Sequence, residues 1–178
     1  MPSGNKLTEM IPPSPWVERH LREIPAGQEV LDLACGSGRH TRLLADHFYP
    51  VLAVDRNEAA LADLRHLNGV RTQCCDLEGE EWPLAGLQFG GIVVTNYLWR
   101  PRLNDVLGLL AAGGVLIYET FMLGNEAFGK PSNPDFLLRP GELRERIRQA
   151  GLTEIAFREG FSEIPQAAMR QAICARRA

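Results

Sequence analysis

One stretch constrains this chain more than any other: Glu29-Val30-Leu31-Asp32-Leu33-Ala34-Cys35-Gly36-Ser37-Gly38-Arg39-His40. A short apolar run suited to a buried strand passes into a turn with two near-adjacent glycines, and the pattern Leu43, Leu44, Ala45, Phe48 then suits a helix. Gly36 and Gly38 permit positive φ and remove side chains that would hold a ligand off the main chain. The helix start beyond them offers free N–H donors at the positive end of a dipole, where an anionic group is stabilised. Strand, small turn and helix in this order predict a nucleotide-like ligand held over the turn.

The remaining apolar runs repeat the theme. Val51-Leu52-Ala53-Val54-Asp55-Arg56 ends in an acid close to the ~20-residue spacing at which a carboxylate meets ribose hydroxyls in doubly wound folds. A dinucleotide fingerprint would need a third glycine where Thr41 stands, which weighs against a nicotinamide site. Residues 70–75 form a third strand candidate closing on Asp76-Leu77-Glu78, and residues 89–95 a fourth, opening into Asn96-Tyr97-Leu98-Trp99. An apolar helix over 103–111, a turn at Ala112-Gly113-Gly114 and a fifth strand over 115–120 follow. A charged helix over 142–150 precedes two last strands, 152–161 and 169–175, joined through Ile164-Pro165. Strands alternating with helices predict an α/β, doubly wound sheet with its ligand outside the carboxyl ends of the parallel strands.

With these motifs in view, Leu31-Asp32-Leu33-Ala34-Cys35-Gly36-Ser37-Gly38 resembles the first motif of the class I S-adenosylmethionine-dependent methyltransferases, with Ala34 at the first of three alternating glycine positions. The resemblance implies a Rossmann-like sheet of about seven strands closed by an antiparallel C-terminal hairpin. It also implies S-adenosyl-L-methionine as cofactor, S-adenosyl-L-homocysteine as product, and no metal. In that family the acid of the first motif lies near the amino-acid end of the cofactor, which here is Asp32. An Asp after the third strand contacts the adenine amino group while its apolar neighbour packs on the ring; Asp76 and Leu77 match. The cofactor set so implied is Trp16, Asp32, Ala34, Cys35, Gly36, Ser37, Gly38, Arg39, His40, Asp55, Arg56, Cys75, Asp76, Leu77, Thr95, Asn96 and Tyr97. Asn96-Tyr97 lacks the prolines of the Asn-Pro-Pro-Tyr segment of DNA and protein amino-group methyltransferases. Gly36-Ser37-Gly38-Arg39 and Asp76-Leu77 are distantly similar to the small tellurite-resistance methyltransferases.

A sulfonium cofactor already carries an activated methyl group, so an acceptor needs chiefly orientation and a water-poor site, and an alcohol or ammonium acceptor also needs a base. Tyr97 and Glu119 are the candidate bases, although Glu119 at a strand tip equally suits a salt bridge to an arginine. Trp99, Phe121, Asn125 and Phe128 are candidate substrate-pocket residues. The last three lie on a long aperiodic segment between Phe121 and Pro140, read as a lid because loops beyond ~12 to 15 residues are uncommon unless functional. Trp16 begins a short amphipathic helix capped by Ser14, and serves either as a cofactor cover or as a core anchor.

Length and composition bound the rest. The 178 residues suit a flexible arm over 1–13 and one domain over 14–178, with no room for a separate substrate domain. A net charge of −3 gives no footprint for a long polyanion, so a small-molecule substrate is expected and a nucleic acid is not favoured. No membrane-length apolar run or signal-peptide pattern occurs, which predicts a cytoplasmic protein. Cys35, Cys74, Cys75 and Cys174 lack metal spacing. Two other readings stand beside the enzyme acting alone: a nicotinamide-dependent oxidoreductase, and a non-catalytic cofactor-binding subunit that presents S-adenosylmethionine to a protein or RNA acceptor held by a partner. A protein partner or a homodimer is compatible with the sequence.

Overall fold

A computed structural model describes residues 11–178. The expected arm over 1–13 therefore lies mostly outside the described residues.

Every strand candidate becomes a strand of one seven-stranded sheet, in the order β3-β2-β1-β4-β5-β7-β6. The strands are β1 (Val30–Leu33), β2 (Val51–Asp55), β3 (Val70–Cys74), β4 (Phe89–Thr95), β5 (Leu110–Phe121), β6 (Leu152–Ser162) and β7 (Ala168–Arg177). The first five are parallel, while β7 runs antiparallel between β5 and β6. Central β1 and β4 are apolar throughout except Asp32 and Thr95, as parallel strands covered on both faces must be. The chain leaves β1 towards β2 on one side and returns to β4 on the other, so the strand order reverses at β1 and opens a crevice at the carboxyl ends.

The helices are α1 (Pro15–His20), α2 (Arg39–Asp46), α3 (Glu58–Ala62), α4 (Leu103–Gly108) and α5 (Glu142–Gln149). Side chains alternate across the sheet with period two. Leu31, Leu33, Ile92, Leu116 and Tyr118 join a core with Val106 of α4 and Ile147 of α5. Val30, Val93, Val115 and Ile117 face the other way, onto Trp16 and Val17 of α1 and Leu44 of α2. Asp32, two residues after Val30, therefore points to the α2 side, and its partner is found there.

Three expectations need correction. Phe48 does not extend the apolar stripe of α2: the helix ends at Asp46, Phe48 takes φ +64° and is 92% exposed, and Tyr49 occupies the core instead. Tyr49 is held there by donating its hydroxyl to the carbonyls of Leu21 and Ile24. The helix expected over 103–111 stops at Gly108, because Leu110 already pairs with Phe89. Ala112-Gly113-Gly114 is thus an irregularity within β5 and not a turn before it; a Cβ on Gly114 would lie 2.8 Å from the Ala111 carbonyl. No helix of the described residues is long and apolar enough to cross a membrane.

Candidate cofactor and acceptor site

At the carboxyl ends of β1 to β4 a cleft is lined by Ala34, Asp55, Arg56, Cys75, Asp76, Leu77, Glu78 and Tyr97. All but Glu78 were expected from sequence. The turn after β1 is fixed by its neighbour strand: Cys35 N–H donates to the Val54 carbonyl at 3.0 Å, and Gly36 N–H to Asp55 Oδ2 at 2.8 Å. Asp55 Oδ1 accepts from Asn57 N–H at 2.9 Å. A carboxylate oxygen has two acceptor directions, so Asp55 keeps one on each oxygen for a further donor. Asp76 accepts from Glu78 N–H at 2.9 Å, which folds the segment so that Leu77 is buried beneath the cleft.

The two glycines of the turn have different reasons. A Cβ on Gly36 would meet nothing within 4 Å, so that position leaves the main chain open. A Cβ on Gly38 would lie 2.4 Å from Leu64 Cδ2; its space is occupied by the packing of the segment after α3, not reserved for a ligand. Ala34 and Asn96, at the tips of adjacent β1 and β4, both take left-handed conformations, φ 53° and 54°. Such strain in non-glycine residues gathers at functional crevices.

Tyr97 enters the cleft with its hydroxyl buried and without a hydrogen-bond partner among the described residues. Burial first, then the nearby Glu78 and Asp76 carboxylates, push its pKa well above the usual phenol range. It carries its proton at neutral pH and can donate a hydrogen bond into the cleft.

The other expected residues lie deeper or further along the strand tips. Asp32 is buried, accepts from Thr41 Oγ1 at 2.6 Å, and burial raises its pKa to about 7. Thr41 thus stands at the third-glycine position as the partner of a buried acid. His40 is buried with its pKa lowered to about 3, by desolvation and then by Arg39. Ser14 N–H donates to His40 Nε2 at 2.9 Å, so the neutral ring carries its proton on Nδ1 and donates to Thr95 Oγ1, 3.2 Å away. Arg39 reaches the Pro12 carbonyl at 2.9 Å, and Ser37 and Arg56 are exposed. Trp16 is a core anchor here: its indole N–H donates to the Ile173 carbonyl at 3.3 Å, and its ring packs against His20.

Glu119 is buried at the tip of β5. It accepts from Ser14 Oγ at 2.8 Å and lies 3.8 Å from the Arg170 guanidinium, the salt-bridge alternative rather than a free base. Burial lowers the pKa of Arg170, Glu119 opposes that, and Arg39 and Arg158 add to it. Phe121 lies under Arg170, with 4.4 Å from guanidinium carbon to ring centroid. The expected substrate group is not brought together. Asn125 is a buried strut between the Pro131 carbonyl and Met169 N–H, and Phe128 sits on the surface against Phe161. Trp99 is half-buried beside Arg100, whose side chain binds Glu142 and the carbonyls of Asp135 and Leu137. Those ties, with the Met122–Leu138 bridge, fix both ends of the segment read as a lid. Ser14, Glu78, Arg158 and Arg170 were missed from sequence. Arg170 alone left a trace, a charge on the inward face of a strand.

The sequence family described as a methyltransferase domain matches residues 30–114, the segment from β1 into β5. A probable S-adenosylmethionine-dependent methyltransferase of Mycolicibacterium smegmatis is 29% identical over 160 residues, 82% of this chain and 59% of the relative. The chain thus spans under two thirds of the length of the curated relative it matches. Among solved structures, TehB from Haemophilus influenzae superposes with TM-score 0.71 at 21% identity, over 92% of this chain and 61% of that one. The glycopeptide N-methyltransferase MtfA, crystallised with S-adenosylmethionine, superposes with TM-score 0.64 at 18% identity, over 92% of each chain. A methyltransferase from Archaeoglobus fulgidus gives 0.68 at 16%, over 89% and 90%. The seven-stranded mixed sheet with its antiparallel β7 is the class I methyltransferase fold. The chain is thus similar in sequence to S-adenosylmethionine-dependent methyltransferases and shares the class I methyltransferase fold.

The cleft fits that cofactor on its own chemistry. It holds a carboxylate with two acceptor directions for vicinal hydroxyls, a buried leucine for a flat base, and a buried Tyr97 hydroxyl without a partner among the described residues. Among the described residues no three His, Cys, Asp or Glu side chains gather as a metal site.

Proposed function

We propose that this chain catalyses methyl transfer from S-adenosylmethionine to a small-molecule nucleophile. The carrying observation is the cleft at the carboxyl ends of β1 to β4, where Asp55, Asp76, Leu77 and Tyr97 converge. When bound, the sulfonium would supply an activated methyl group suited to in-line displacement by a nucleophile, with S-adenosylhomocysteine as the leaving group. The chain's residues orient and shield. Asp55 would hold the ribose hydroxyls, Leu77 and Asp76 the adenine, and Tyr97 would offer one hydrogen-bond donor. With the Tyr97 phenol protonated and Glu119 engaged by Ser14 and Arg170, the acceptor is one that reacts without a strong protein base.

The test is a calorimetric titration with S-adenosylmethionine, S-adenosylhomocysteine and NADH in parallel, repeated on Asp55→Ala. Both sulfur cofactors are expected to bind and NADH not to. Loss of two hydrogen bonds to a carboxylate should cost about 2–4 kcal/mol, roughly 30- to 1,000-fold in affinity. Because Asp55 also holds Gly36 N–H, part of that loss arises through the turn, and Asp55→Asn separates the two. Binding of NADH alone would overturn the proposal in favour of a redox enzyme.

A further inference from the structure

Three hydrogen bonds from the two strands beyond β4 fix the turn that carries Tyr97 into the cleft. Asn96 N–H donates to the Glu119 carbonyl of β5 at 3.0 Å, and the buried Tyr118 hydroxyl of β5 donates to the Tyr97 carbonyl at 2.7 Å. The third comes from β7, where Arg170 Nη1 donates to Asn96 Oδ1 at 2.7 Å. In the sheet order β5 lies between β4 and β7, so the arginine reaches over a whole strand to make that bond. Its register partner Phe121 supports it on the way, with the guanidinium carbon 4.4 Å from the ring centroid.

Arg170 is 2% exposed, and a buried guanidinium is tolerated only where it is paired and hydrogen-bonded. Glu119, 3.8 Å away, balances the charge. Among the described residues, the one acceptor its side chain hydrogen-bonds is the amide oxygen of Asn96, an exposed residue. Asn96 needs the tie. It takes φ +54°, a left-handed conformation that asparagine tolerates better than most residues but that still carries strain. Without the tie, Asn96 relaxes towards negative φ and the chain leaves β4 in another direction.

Tyr97 is the residue that this direction delivers. It follows Asn96 directly, lines the cleft with Ala34, Asp55, Asp76 and Leu77, and its buried hydroxyl meets no hydrogen-bond partner among the described residues. No side-chain hydrogen bond fixes the ring, so its aim depends on the backbone on either side. We propose that Arg170 is a positioning residue for cofactor binding: through Asn96 it holds the turn after β4, so that the Tyr97 hydroxyl is aimed at an acceptor atom of the bound S-adenosyl nucleoside. This rests on the methyltransferase reading and extends its site to β7, which contributes no side chain to the cleft lining.

The test is a double-variant cycle read by calorimetric titration of the full chain with S-adenosylhomocysteine. Tyr97→Phe removes the hydroxyl and should weaken binding about ten-fold, the effect of losing one hydrogen bond. Arg170→Met should weaken it by a similar factor, while Arg170→Lys, which keeps a donor and the charge, should stay within about three-fold of wild type. The two losses should not add: Tyr97→Phe combined with Arg170→Met should bind no more than about three-fold weaker than Tyr97→Phe alone. A purely structural Arg170 would lower the melting temperature and leave the affinity of the folded protein unchanged, which overturns the proposal. Losses that multiply to about a hundred-fold, or a Tyr97→Phe variant that binds like wild type, overturn it as well. Should Arg170→Met not fold, Asn96→Ala, which removes the acceptor and leaves Arg170 in place, takes its position in the same cycle with the same outcomes. Failure of the wild type to bind S-adenosylhomocysteine would instead overturn the cofactor reading.

Discussion

Asp32 looks in the sequence like an acid offered to a ligand, and in the fold it is a buried partner of Thr41. Desolvation raises its pKa from 3.8 to about 7, outweighing the Thr41 hydrogen bonds and Arg39. A carboxyl that holds its proton more tightly when folded favours the native state while it is protonated. That contribution is complete below about pH 4, the unfolded value, and is lost as pH rises towards 7. The loss is on the order of a few kcal/mol. Asp32→Asn keeps an oxygen for Thr41 and cannot ionise. The variant should therefore show a flatter stability profile between pH 4 and 7 and melt several degrees higher than wild type at pH 8. Thermal unfolding across that range checks it; parallel profiles for the two proteins would mean that Asp32 is solvated or differently paired.

The glycine turn and α2 were legible because their signal is local. A parallel strand buried on both faces reads as a continuous apolar run, and an Asp or Gly at its end marks the tip. The failures came where an apolar run crossed an element boundary: residues 103–111 span a helix end and a strand start, and Phe48 keeps the helical period after the helix has stopped. The sequence also could not tell the two turn glycines apart, since one leaves open space and the other receives Leu64. They should separate by mutation. Gly36→Ala, at φ +56°, carries backbone strain of about 1–2 kcal/mol. Gly38→Ala adds overpacking against Leu64, for a total of about 2–5 kcal/mol. Denaturant unfolding of both, and of Gly38→Ala in a Leu64→Ala background, tests this; measured against Leu64→Ala alone, Gly38→Ala should there cost only its backbone strain. Equal costs for the two single variants would show that Leu64 yields without penalty.

The cleft at the tips of β1 to β4 was readable because its lining residues fall in short runs at strand ends, whereas Ser14, Glu119, Arg158 and Arg170 form a polar cluster that no short window contains. Only the register of β5, β7 and β6 and the docking of α1 bring them together. Ser14 is the joint. Its hydroxyl accepts Trp16 N–H as the cap of α1 and donates to Glu119, 105 residues away, while its own N–H binds His40 at the start of α2. Ser14→Ala loses the cap, about 1 kcal/mol, and leaves a buried Glu119 oxygen without that donor, about 1–3 kcal/mol. For a chain of this length the sum lowers the melting temperature by roughly 4 to 16 °C. Ser14→Thr, which keeps the hydroxyl, should retain most of that stability. Melting curves of the two variants, with Glu119→Gln as background, distinguish a joint from a plain helix cap: a cap alone would cost about 1 kcal/mol in Ser14→Ala whether or not Glu119 is charged.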